Sequence, residues 1–165
     1  MRNKPKWCSV VLLGLVLLLV SSSGGCLGLR VINYEDALEQ YEDQVVPLFE
    51  EWKAVVDDWE EAASNESRLS YLDIDAEDCC NRMQTILSDW NAISPPDEAK
   101  EYHMWVGVAM DYEKEAFALM AEYYRLGEYS SSEERAQLRN QATELWILKD
   151  KALFKAADAA PEGLK

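Results

Sequence analysis

The chain has little with which to hold a metal or a redox centre. Of its 165 residues, four are cysteine and one is histidine. Cys8 falls in an apolar run near the N-terminus and Cys26 just after it, which leaves the neighbours Cys79 and Cys80. There is no C-x-x-C, no C-x-x-C-H and no second pair, so zinc, thioredoxin-like and c-type haem sites are excluded. Adjacent cysteines on a helix point about 100° apart and cannot bridge without unwinding it. A ferritin-like di-iron site needs Glu-x-x-His twice, whereas the residue three before His103 is Lys100.

Positive charge is equally scarce. The chain holds 16 Lys and Arg against 31 Asp and Glu. Arg2, Lys4 and Lys6 precede Cys26, so from Cys26 onward the balance is (16 − 3) − 31 = −18. That excess argues against nucleic acid or an anionic lipid surface as a partner, since both demand cationic contacts. It would suit a cationic protein partner, and otherwise makes a solvated face. No stretch shows the alternation of a half-buried strand.

What is present begins with residues 1–26. Three basic side chains precede an apolar run over 7–20, shorter than the ~20 residues of a bilayer-spanning helix. The small collar Ser21-Ser22-Ser23-Gly24-Gly25 follows, and then Cys26. A basic start, a short apolar stretch and small residues before a cut form the layout of an export signal. Ser23-Gly24-Gly25-Cys26 resembles the lipobox of prokaryotic lipoproteins. The resemblance implies that residues 1–25 are removed and that Cys26 is diacylated, becoming a lipid-anchored mature N-terminus. It also implies a place outside the cytoplasmic membrane, on its outer face or at an outer membrane. An uncleaved anchor with Cys26 a bystander would give nearly the same compartment.

The remaining 165 − 25 = 140 residues make one ordinary domain, large enough to bury about two-thirds of its unfolded surface without staples. A tether over 26–32 leads to an expected N-cap at Asn33, with Asp36 reaching back to it. Leu38, Tyr41, Val45, Leu48, Trp52, Val55, Trp59 and Ala62 then alternate at spacings of three and four. The pattern predicts a helix over 33–63 with a kink near residues 44–46, because Pro47 removes one backbone bond. Ser64-Asn65-Glu66-Ser67 is a polar break; its Asn-x-Ser is the tripeptide that accepts N-linked glycans, a match short enough to arise by chance.

A second helix is predicted over 68–93, with Leu69, Leu72, Ala76, Cys79, Met83, Ile86, Trp90 and Ile93 inward and Cys80 at the stripe's edge. Ser94-Pro95-Pro96-Asp97-Glu98 ends it and starts the third, expected over 97–126 and the most apolar of the four. Gly127 is its natural stop. Ser131-x-x-Glu134 is a capping box for the fourth, over 132–158, with Leu138, Ala142, Leu145, Ala152 and Ala156 inward. Four helices with short connections read as an all-α, up-down-up-down four-helix bundle over 33–160. Ile93-Ser94-Pro95-Pro96 followed by Tyr102-His103 also resembles a boundary found in small exported helical lipoproteins of no assigned activity. That resemblance implies a cell-surface helical domain and transfers no catalytic residues.

One pair of charges stands out. Glu113 lies about 200° round the third helix from Asp111, the middle of its wet face, and so points into the apolar arc. Lys149 lies within ~20° of the inward direction of Leu138 and Ala156. In an antiparallel pair hinged near Tyr129 the two differ in depth by about one turn, which predicts a buried Glu113–Lys149 ion pair of structural character. A haem held by His and Met would need His103 with Met83 or Met120, but His103 falls at the edge of its apolar arc. Trp52, Trp59, Trp90 and Trp105 at heptad spacing read as core rather than cavity lining. No nucleophile–base set can be assembled. The expectation is a membrane-anchored lipoprotein with a non-catalytic binding or structural role, no cofactor and a possible protein partner. The alternative is a bundle that binds metal or haem.

Overall fold

The computed structural model describes residues 28–127 and 131–164, the first eight as backbone alone. The leader 1–25, Cys26 and the expected hinge at Tyr129 lie outside the described residues. Four helices follow in order: α1 (Gly28–Ser64), α2 (Leu72–Ala92), α3 (Lys100–Arg125) and α4 (Ser132–Ala159). Among the described residues there is no strand, and no helix is long and apolar enough to cross a membrane.

The helix directions follow from which residues meet. Tyr41 reaches His103 near the start of α3, and Trp59 reaches Tyr124 near its end, so α1 and α3 run the same way. Phe49 meets Trp90 while Val55 meets Cys79, which sets α2 antiparallel to α1. Glu113 meets Lys149 and Phe117 meets Trp146, which sets α4 antiparallel to α3. The chain is an up-down-up-down four-helix bundle. A short 3-10 turn at Glu162–Leu164 folds back on α1, where Gly163 comes against the Leu38 side chain.

Most of the expected stripes form the core: Leu38, Tyr41, Val45, Leu48, Trp52 and Val55 of α1 meet Cys79, Met83, Ile86 and Trp90 of α2. α3 adds Tyr102, Val106, Ala109, Met110 and Phe117. α4 buries only the alanines Ala142, Ala152 and Ala156, while its Leu138 and Leu145 stay half-buried. Gly107 lets α2 approach α3, because a Cβ there would stand 3.3 Å from Cδ1 and Nε1 of the Trp90 indole.

Several boundaries differ from expectation. α1 begins at Gly28, so Asn33 lies within the helix rather than capping it, and part of the expected tether is helical. The polar side chain at Asn33 offers a cap, but nothing in 28–32 breaks a helix outright. At Pro47, by contrast, α1 is one helix as expected: the apolar register holds across it, and packing outweighs one lost bond. The second helix starts later than its pattern. Asn65 caps a 3-10 turn over Glu66–Tyr71, and Leu69 in that turn is 59% exposed instead of buried. A 3-10 turn likewise precedes α3, over Asp97–Ala99. Ser131 does cap α4, its hydroxyl accepting from the Glu134 N–H at 3.2 Å, and Gly127 stands beyond α3 at φ +58°, a conformation that favours glycine.

Candidate functional site

Three places in the bundle bring chemically capable groups together. The first is at the α3–α4 seam. Glu113 is the one charged residue buried among the core side chains of the described chain, at 3% exposure. Lys149 Nζ stands 3.1 Å from Glu113 Oε2, and Trp146 Nε1 donates to Oε1 at 3.0 Å. The ammonium thus pairs with Oε2, the oxygen that the indole does not reach. Burial works to lower the Lys149 pKa, but Glu113 and the nearby Asp150 carboxylate, at 3.5 Å, outweigh it and the net displacement is upward. Trp146 is the partner that sequence reasoning missed. It lies three residues, nearly one turn, before Lys149, so helical spacing puts the two on one face of α4, while only the packing of α4 on α3 brings the indole to Glu113.

The second place is the end of the bundle near Leu38. The His103 ring stacks flat on the Trp90 indole, with centroids 4.4 Å apart and planes 10° from parallel. Tyr41 Oη lies 3.1 Å from His103 Nδ1, and Trp90 Nε1 donates to the His103 carbonyl at 3.0 Å. One residue thus ties α1, α2 and α3. Burial pushes the His103 pKa down, with the Trp90 contact a smaller opposing effect. Burial raises Tyr41 and Tyr102 as phenols, Tyr102 to about 12. Both tyrosines therefore stay neutral hydrogen-bonding groups across ordinary pH.

The third is a cleft of about 300 Å³ between the end of α1 and the start of α2. Asp58, Glu61, Asp75 and Asp78 line it with Arg68 and Arg82, and Cys79 lies at its wall. Arg82 reaches Asp58 at 2.6 Å and Asp78 at 3.8 Å, and Arg68 pairs with Asp75. Four carboxylates thus face two guanidinium groups. The sequence shows the acids but not their meeting, since Asp58 and Arg82 are 24 positions apart. Burial disfavours the Cys79 thiolate, pushing its thiol up to about 12, and Sγ lies 3.8 Å from the Val55 carbonyl. Half-buried Cys80 is raised as well, again by burial first. Both thiols are free.

The tryptophans divide. Trp52 and Trp90 are fully buried among other side chains; Trp59 is half-buried against Phe117 and Tyr124. Trp105 carries the Lys155 ammonium 3.9 Å above its ring. Among the described residues no three His, Cys, Asp or Glu side chains are grouped as metal ligands. Compared with known proteins, the chain matches no family model, no curated protein and no solved structure.

Proposed function

We propose that the chain is an extracytoplasmic lipoprotein, tethered to a membrane by lipid on Cys26, whose bundle binds a partner or serves a structural role without catalysis. The observation that carries the reading is the order basic start, short apolar run, small collar and cysteine over residues 1–26. Two acyl chains on one residue hold far better than one, because each buried CH₂ contributes about 0.8 kcal/mol. The bundle supports a non-catalytic role through what its reactive groups are committed to. Glu113 is occupied by Lys149 and Trp146, His103 by Tyr41 and Trp90, and Cys79 is buried behind the cleft. The acidic cleft and the surplus of −18 favour a cationic protein partner over nucleic acid.

Metabolic labelling with an alkyne fatty acid, followed by membrane fractionation, tests the reading. Wild type is expected in the membrane fraction carrying label, and Cys26→Ser without label. Unlabelled wild-type chain in the cytosol would overturn it. A visible absorption band or a stoichiometric metal in the purified protein would favour the metal- or haem-binding alternative.

A further inference from the structure

The link between α1 and α2 holds the tripeptide Asn65-Glu66-Ser67, in which a residue other than proline separates asparagine from serine. All three residues are exposed. Asn65 has extended backbone, φ −93° and ψ 108°. Its backbone N–H donates to the Ala62 carbonyl at 3.2 Å, and its own carbonyl accepts from the Arg68 N–H at 3.0 Å. Side-chain Oδ1 accepts twice, from the Ser67 N–H at 3.0 Å and from the Ser67 hydroxyl at 2.7 Å. Among the described residues every polar group of this exposed asparagine therefore has a hydrogen-bond partner except Nδ2.

This arrangement suits modification at nitrogen. Two donors on Oδ1 draw electron density out of the amide and make an Nδ2 proton easier to remove. A sugar on Nδ2 leaves Oδ1 in place as an acceptor, so the cap on the 3-10 turn survives the modification. The site also stands at the opposite end of α1 from Gly28: the helix's 37 residues span about 55 Å at 1.5 Å per residue.

We propose that Asn65 is an N-glycosylation site. The donor is a sugar carried on a lipid phosphate or pyrophosphate. The bond from sugar C1 to the phosphate oxygen breaks and a C1–Nδ2 bond forms. Nδ2 gives up one proton to the transferring enzyme, and the lipid phosphate leaves with the electron pair. The inference rests on the reading that this chain is exported, since such acceptors are modified on secreted proteins.

The test is mass spectrometry of the intact protein from the membranes of its own organism, with peptide fragmentation. Wild type is expected to exceed the lipidated mature mass by a sum of monosaccharide residues, localised to Asn65. Asn65→Gln and Ser67→Ala should lose the increment, and Ser67→Thr should keep it. Because Ser67→Ala also removes a hydrogen bond within the turn, retention in Ser67→Thr and the fragment localisation separate glycosylation from folding. A chain lipidated at Cys26 and bare at Asn65 overturns the glycan and leaves the export reading standing. A chain that keeps residues 1–25, without lipid or sugar, overturns both the glycan and the lipid anchor.

Discussion

At Glu113 the balance between desolvation and pairing is decided by a single neighbour. Removing a carboxylate from water costs several kcal/mol, and the adjacent ammonium offsets this while both remain. Lys149→Met strands the carboxylate and is expected to destabilise by about 3–5 kcal/mol, whereas the double replacement Glu113→Leu with Lys149→Met, which removes both charges, should cost much less. Chemical denaturation of the two variants checks this, and equal losses would remove the pair from any account of stability. The raised Lys149 pKa fixes the pH sense too: its contribution is full below the unfolded value near 10.5 and is lost as pH rises through the higher folded one. His103 works in the opposite direction. Burial lowers its pKa, so the unfolded chain takes the proton more readily. Its contribution is complete above about 6.5 and is lost as pH falls toward the folded value. Between pH 7 and about 5 the stability of His103→Gln should therefore fall less steeply than that of wild type, as followed by urea titrations at each pH.

The helices owe their ends to local chemistry and their faces to packing. Ser131 and Gly127 are end signals that work because neighbouring backbone donors or dihedrals demand them, whatever the rest of the fold does. With φ +58° and no heavy atom within 4 Å of a Cβ at that position, Gly127→Ala introduces backbone strain without a steric clash. The expected loss is about 1 kcal/mol, measurable as a lowered melting temperature with an unchanged spectrum. Leu69 shows where pattern reading fails. Its spacing from Leu72 fits the α2 stripe, but the Asx turn at Asn65 tightens the chain into a 3-10 turn, and the changed pitch carries Leu69 to the surface. α1 shows the converse, since the apolar repeat outweighs the cap signal at Asn33 and the missing donor at Pro47.

Over the whole molecule, charge is the largest imbalance. The ion pairs at the surface are mostly exposed, where solvent screening leaves each contributing little. From Cys26 onward the surplus of −18 repels itself at distances that salt screens, with a Debye length of about 10 Å at 0.1 M. Raising sodium chloride from about 0.05 to 0.5 M is thus expected to raise the melting temperature. A fall would mean that the paired surface charges outweigh the repulsion.

The sequence by itself determined the helical class, the number of helices and most of the inward stripes, because periodicity near 3.6 and the residues that end helices act over one or two turns. It also supplied Glu113 and Lys149 as facing charges, since helix geometry converts position into direction. Only tertiary structure decided that Trp146 completes that pair, that His103 joins three helices, and that Asp58, Asp78 and Arg82 share a cleft. Those contacts depend on the rotation and depth of one helix against another, which shape and packing of whole faces set and no local spacing encodes.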